Sequence, residues 1–262
     1  MGINEFCDHK PGALGYGTAM SDTSLRTQVY DSLRQALTTG RFAPGQKLTF
    51  RFIAGALGVS LTPVREALGR LVAEGAFEMQ PNRSVRVPVM TRARIMELRD
   101  IRMAVEGLAA AKAALAADRR QVGELRRIAL AIVAARRQAD RVADRRNIRE
   151  FHFTLYGMAD QPTLLRVIEG LWLQTGPYMN LLYPDFVSRP HGPQGRANII
   201  RALQARDAAA ARREIENDID RALSYVADLA DDDGNIALAR PAAAGGRRRG
   251  AAIAAQQFNY AQ

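Results

Sequence analysis

The run PGQKLTFRFIAGALGVSLTPVREALGRL, residues 44–71, decides how this chain is to be read. Pro44-Gly45 is a turn signal, because proline presets φ and glycine accepts a positive one. A short helix is expected around Phe52–Leu57, stopped by Gly58. Thr62 is placed to cap a second helix with Pro63 in its first turn, where a missing N–H costs nothing. Along that helix Val64, Ala67, Leu68 and Leu71 form an apolar stripe, while its opening residues are small, polar or basic. Two short helices about a glycine turn, the second with a polar N-terminus, suit insertion into a DNA major groove.

Reading outward, a helix over Ser24–Thr38 carries Leu25, Val29, Leu33 and Leu37 on one face, and Gly40 ends it. Downstream, Gly75 closes the second short helix, and Ala76–Gln80 and Ser84–Pro88 read as strands about the turn Pro81-Asn82-Arg83. Three helices and a hairpin over 24–90 make a winged helix-turn-helix. From Thr91 the chain turns wholly helical. Ile95, Leu98, Ile101, Val105, Leu108 and Leu115 recur every three or four residues. Further helices are expected near Arg119–Val142, Arg145–Ala159, Pro162–Leu182, Gln194–Arg206 and Asp207–Leu229, with Pro177 kinking or splitting the one that contains it. The fold class is therefore mainly α: an N-terminal winged helix-turn-helix followed by an all-α antiparallel bundle over 91–230. Residues 1–23 and 231–262 lack apolar periodicity and read as disordered tails. In the second tail, Arg247-Arg248-Arg249 suits either a phosphate grip or a solvated run.

Composition bounds the possibilities. The chain has 262 residues, 47% of them hydrophobic, enough for one large core or two modest ones. Lys and Arg total 37 against 27 for Asp and Glu, a formal charge of +10 that favours polyanions, although an arginine-rich composition alone gives the same balance. Cys7 is the single cysteine, so an internal disulfide and a cysteine-based zinc cluster are excluded. A reducing cytoplasm is the expected location, and no apolar run reaches a membrane span. Cys7 and His9 are too few to hold a metal, and the N-terminus lacks the pattern of a secretory signal. Neither a nucleophile elbow, a phosphate-binding glycine loop nor paired catalytic carboxylates occur, so no enzyme activity and no cofactor are expected.

On Pro44-Gly45, Leu48, Ile53-Ala54, Leu57-Gly58-Val59-Ser60, Thr62-Pro63-Val64-Arg65-Glu66-Ala67-Leu68, Leu71 and Glu74-Gly75, the first third of the chain resembles the GntR family of bacterial transcription regulators. Ser60 and Thr62 are short donors at a helix start, and Arg65 reaches a guanine edge or a phosphate; a salt bridge to Glu66 or Glu74 is the alternative. The resemblance implies that Arg51 contacts backbone and base, and that Asn82 and Arg83 at the wing tip reach the minor groove. Leu61 stands where many relatives carry arginine. It cannot make that hydrogen bond to guanine, but can pack on a thymine methyl. Ser84 stands where many carry glycine.

Residues from Arg92 to about Leu229 resemble the helical ligand-sensing FCD domain of the FadR branch, on Glu97-Leu98-Arg99-Asp100-Ile101-Arg102 with Glu106, Phe151-His152 and Arg206-Asp207-Ala208. In many relatives an Asp and three His hold a divalent metal. Here His152 keeps the first histidine, whereas Ile148, Arg196 and Asp218 fall on the other ligand positions, and His191 lies in a loop between Pro and Gly. One imidazole and one carboxylate are too few, and an arginine repels a cation, so no metal is expected. Arg196 instead takes the cation's place and binds a carboxylate effector, Asp218 orients it, and His152 and Arg102 add polar contacts. The alternative is a structural Arg196–Asp218 pair. Trp172, Tyr178 and Tyr183 suit either a pocket or ordinary packing. The chain so read is a homodimeric regulator that binds double-stranded DNA at an inverted repeat under a small organic acid's control. The other reading is a ligand-independent DNA-binding protein with a degenerate sensor.

Overall fold

Hydroxyl and carboxylate side chains ahead of apolar runs start most of the helices, and left-handed glycines end several. The structure, a computed structural model, describes residues 22–183, 185–187 and 191–236. The head comprises helix α1 (Asp22–Thr38), strand β1 (Lys47–Thr49), helices α2 (Phe50–Leu57) and α3 (Leu61–Ala73), and strands β2 (Glu78–Gln80) and β3 (Ser84–Arg86). Strand β1 escaped the sequence reading. It pairs antiparallel with β3, Leu48 opposite Val85, and gives a sheet of order β1-β3-β2. The Thr49 hydroxyl accepts the Phe52 N–H, which starts α2 two residues earlier than expected. After the left-handed turn at Gly58 (φ 66°), Ser60 returns to extended backbone and occupies the N-cap of α3 without a side-chain bond. Thr62 is thus an exposed residue of the first turn rather than the cap. Leu33, Leu37, Ile53, Leu68, Leu71, Phe77 and Val85 close the head's core.

The bundle runs from strand β4 (Met90–Thr91) through α4 (Arg92–Ala116), α5 (Arg119–Arg137), α6 (Arg141–Gly157), α7 (Pro162–Thr175), a 3₁₀ segment (Gly176–Leu182), α8 (His191–Ala205) and α9 (Ala208–Ala227) to β5 (Asn235–Ile236). Thr91 caps α4 as expected, Asp118 forms a capping box with Gln121 on α5, and Asp140 and Asp207 cap α6 and α9. Pro177 splits the helix expected over 162–182, because its ring and missing N–H end α-helical bonding.

Two expectations are corrected. The six apolar residues expected to form one stripe on α4 divide between faces. Ile95 and Leu98 are buried, while Ile101, Leu108 and Leu115 remain 39%, 41% and 58% exposed. At 3.6 residues per turn the second set, spaced by sevens, is rotated by roughly 110° from the first, onto the outer side of the helix. The buried face is completed by Ala109, Ala110, Ala113 and Ala114, whose small side chains let α9 approach closely. Second, the chain beyond Asp231 packs as far as Ile236: β5 pairs with β4 and Ile236 is fully buried. Asp231 accepts the Asn235 N–H and fixes the returning turn. Residues 231–236 therefore belong to the packed fold rather than to a tail. Cys7, His9 and Arg247–Arg249 lie outside the described residues.

Head and bundle share surface. Leu173 of α7 belongs to the head's core, and Arg34 pairs with Glu169 at 3.0 Å. Tyr178 clamps the connection: its hydroxyl donates to the Pro88 carbonyl at 2.9 Å and accepts the Met90 N–H at 2.6 Å. Of the aromatics weighed from sequence, Tyr178 serves this junction, whereas Trp172 and Tyr183 line a cavity.

Candidate functional site

The side chains expected from sequence to read DNA project from the packed head. Val64, Ala67, Leu68 and Leu71 anchor α3 in the head, which turns Thr62 and Arg65 outward to solvent. Glu66 pairs with Arg26 at 2.8 Å, and Glu74 binds Arg70 and the Tyr30 hydroxyl. The alternative salt bridge for Arg65 therefore does not form, and its guanidinium stays exposed. Ser60 and Arg51 are also exposed at the starts of α3 and α2. Leu61 is half-buried against the head's core, so part of its surface is spent on packing.

Asn82 and Arg83 form the tip of the hairpin, with φ of 60° and 50°. These left-handed values suit a tight turn that matches strand twist. The Phe50 N–H donates to the Arg83 carbonyl at 3.1 Å, tying the wing tip to the start of α2 beside Arg51. The Ser84 hydroxyl donates to the Pro81 carbonyl at 2.7 Å, a closure that glycine could not supply. All seven sequence-predicted residues thus sit in one small head, on α2, α3 and the wing.

The second site is a cavity of about 100 Å³ between head and bundle. Arg102, His152, Arg196 and Asp218, four residues on four different helices, all line it, as do Arg136 and Arg145. Ile148, Met179, Leu182, Phe186 and Val187 supply its apolar wall, and Thr38 and Thr39 at the end of α1 complete it.

Each polar group has a distinct state. Arg102 is buried and committed: its Nε donates to Glu106 Oε1 at 2.5 Å, and its Nη1 to the Thr175 hydroxyl at 2.9 Å. It also lies over the Trp172 ring. Glu106 is fully buried and additionally accepts the Tyr156 hydroxyl at 2.6 Å and the Trp172 indole N–H at 3.0 Å. Burial and the neighbouring Glu106 together raise the Tyr156 phenol well above its ordinary value. His152 meets the Tyr156 hydroxyl through Nδ1 at 3.0 Å and faces Asp218 through Nε2 at 3.5 Å.

Asp218 therefore makes its close contact with His152, and Arg196 acts on it only at longer range. Burial pushes the Asp218 carboxyl up, but the hydrogen bond from His152 and the charges of His152, Arg196 and Arg221 outweigh it, leaving Asp218 below the usual aspartate value. Arg196 is 6% exposed, and its buried Nη2 has no hydrogen-bond partner. Burial pulls its pKa down to about 10 against the attraction of Asp218. The structural Arg196–Asp218 pair weighed from sequence is thus not formed as a direct contact.

A divalent metal does not fit these residues. Ile148 offers no donor atom, Arg196 is a cation, and His152 and Asp218 remain as one imidazole and one carboxylate. Among the described residues no group of three or more His, Cys, Asp or Glu side chains is arranged to hold a metal.

Sequence reasoning missed Arg136, Arg145, Glu106 and Asn180. Arg136 binds Asp144 through Nε at 3.1 Å. Arg145 precedes His152 by seven residues, two helical turns, so it shares a face with His152 on α6, a signal present in the sequence. Arg136 enters the cavity wall, and Asn180 meets Arg145, only through tertiary packing.

Comparison with known proteins bears on both sites. Residues 25–87 match the model described as "Bacterial regulatory proteins, gntR family", and residues 97–221 match the FCD domain. The chain is 32% identical over 164 residues to the HTH-type transcriptional regulator McbR of Escherichia coli K12, covering 63% of this chain and 74% of McbR. It is 26% identical to a probable D-xylose utilization operon transcriptional repressor of Paenarthrobacter nicotinovorans, covering 76% and 88%. The solved structure of E. coli McbR/YncC superposes with a TM-score of 0.73 at 29% identity, over 77% of this chain and 96% of that one. A helix-turn-helix head matched over nearly all of its length, a helical FCD domain behind it and relatives named as transcriptional regulators lead to one conclusion: this chain belongs to the GntR family of transcription regulators, in the branch that carries an FCD domain.

Proposed function

We propose that this regulator acts in the cytoplasm as a homodimer on an inverted-repeat operator, and that a small carboxylate bound in the bundle cavity controls it without a metal. The observation that carries the effector reading is Arg196, a buried guanidinium with an unpartnered Nη2 facing a cavity. An unpaired buried charge is costly, and a carboxylate would supply the missing acceptors. Among the described residues Arg102, Arg136, Arg145 and Arg196 line the cavity against one lining carboxylate, Asp218, while Glu106 and Asp144 pair with Arg102 and Arg136, and the positive surplus that remains suits an anion. His152, held between Tyr156 and Asp218, offers a further polar contact, and Arg102 stiffens the wall through Glu106. On the DNA side, Thr62 and Arg65 enter the major groove, Ser60 and Arg51 grip its flanks, Leu61 offers its remaining apolar surface to a thymine methyl, and Asn82 and Arg83 reach the minor groove.

The dimer reading rests on α4. Ile101, Ala104, Leu108, Ala111 and Leu115 alternate at three- and four-residue spacing along its outer face, the pattern of a helix–helix seam. Twofold pairing of these seams would set two heads on one duplex. Leu108→Glu is expected to convert the dimer to a monomer in light scattering, and an unchanged mass would contradict this surface. Thermal-shift screening against short monocarboxylates tests the effector reading. Stabilisation of the wild type that vanishes in Arg196→Ala is expected; no stabilisation by any acid would favour the ligand-independent alternative.

A further inference from the structure

The cavity and the DNA-reading head are joined by one amide. Arg145 lines the cavity, donates Nη1 to the Asn180 side-chain oxygen, and keeps a buried Nε without a hydrogen-bond partner. The Asn180 amide nitrogen in turn donates to the carbonyl of Gly40, the residue that ends α1 in a left-handed conformation (φ 67°). The fit at this point is close: a Cβ added to Gly40 would lie 3.0 Å from Asn180 Oδ1. Four residues further back along the 3₁₀ segment, Gly176 presses on the same helix end, where a Cβ would come within 2.3 Å of the Leu37 carbonyl oxygen. Thr38 and Thr39, between these two contacts, form part of the cavity wall. The C-terminal turn of α1 is therefore cavity wall and head at once.

We propose that Asn180 is the coupling residue of this regulator, and that an anion in the cavity releases the end of α1 by drawing Arg145 away from it. The proposal rests on the reading of the cavity as an anion site. An amide oxygen is a neutral acceptor, whereas a carboxylate forms charge-assisted bonds roughly twice as strong, so a bound anion outcompetes Asn180 for the Arg145 guanidinium. Once Oδ1 loses its partner, nothing else among the described contacts fixes the amide's orientation except Nδ2 on Gly40 and a long contact to the Pro177 carbonyl. The contacts that remain between head and bundle are Arg34 with Glu169 of α7, the packing of Leu173, the Gln174 amide on the Glu74 carbonyl, the Gly176 approach to Leu37 and the Tyr178 clamp, and the head changes its angle about these. The converse follows from linkage: DNA that locks the head with Asn180 on Gly40 disfavours the anion by the same factor.

The test is a cycle of Arg145→Ala, Asn180→Ala and the double variant in the full-length protein, read by hydrogen exchange at the amides of residues 39–41. Each single variant is expected to speed exchange there by about tenfold, the effect of losing one charge-supported hydrogen bond. The double variant is expected to add almost nothing, because both changes cut one chain. Additive effects, or no change in either single variant, would overturn the proposal. Asn180→Asp guards against a trivial packing loss. It keeps and strengthens the Arg145 contact but cannot donate to Gly40, so it is expected to speed exchange as Asn180→Ala does, and wild-type protection in it would overturn the relay. A separate arm uses sodium acetate and sodium propionate as probes. Both are expected to stabilise wild type and Asn180→Ala alike against heat, but to speed exchange at 39–41 in wild type alone. Probe-driven exchange that persists in Asn180→Ala would overturn the relay. Failure of either probe to stabilise any variant would overturn the anion reading beneath it, and the exchange rates of the mutant cycle would still decide the hydrogen-bonded chain on their own.

Discussion

Arg65 stands one turn into α3 with both neighbouring carboxylates already engaged, Glu66 by Arg26 and Glu74 by Arg70. Among the described residues no carboxylate pairs with its guanidinium, which leaves it available for DNA. Arg65→Ala is expected to weaken specific binding by about 1–3 kcal/mol, the worth of one base-reading contact, and to leave the dimer intact. Titration of the duplex from its own promoter region checks this, and unchanged affinity would count against the assigned reading helix. Glu106 is the residue on which the bundle interior depends, since Arg102, Tyr156 and Trp172 all bond to it. Glu106→Ala strands the buried Arg102 charge and is expected to cost about 3–5 kcal/mol in denaturant unfolding. Asp218 gives a pH signature. Its carboxyl titrates below the ordinary value of 3.8 in the folded protein, so within that window the unfolded chain binds a proton that the native one refuses. Stability therefore falls as pH drops through the window, and Asp218→Asn should flatten that part of the melting-temperature profile relative to wild type.

At the scale of elements, what could be read from sequence depended on whether the signal was local. Helix starts at Thr91 and Asp207, the split at Pro177 and the left-handed turn at Gly58 all follow from residues within a few positions of the event, and each was legible. Strand β1 was not: three residues that exist as a strand only because β3 lies alongside them carry no periodicity of their own. The apolar residues of α4 were legible as helical but not as two faces, because alanines, silent in a hydrophobic pattern, complete its buried face. The cavity shows the same division. His152, Arg196 and Asp218 came from family resemblance, Arg145 could have been found from its seven-residue spacing to His152, and Asn180 could not, since its meaning lies in a contact with a residue 140 positions away. The junction between α1 and the 3₁₀ segment offers its own test. Gly176→Ala forces a methyl group to 2.3 Å from the Leu37 carbonyl oxygen, so the elements must separate. Calorimetry is expected to resolve two transitions, head and bundle, where the wild type gives one.

Over the whole molecule, a basic head and a cavity lined by two arginines that no carboxylate pairs directly among the described residues, Arg145 and Arg196, are joined through the end of a single helix. An effector in that cavity changes DNA affinity only in so far as it binds the docked and released heads differently. Allosteric couplings are typically about 1–3 kcal/mol, so the expected change in DNA affinity is roughly five- to 150-fold. The most direct measurement is fluorescence anisotropy of labelled promoter-region DNA titrated with wild type and with Arg196→Ala, each in short-chain monocarboxylate and in chloride at equal ionic strength, since salt alone weakens DNA binding. A carboxylate-dependent shift in affinity is predicted for the wild type and none for Arg196→Ala. An equal shift in both proteins would contradict control through the Arg196 cavity.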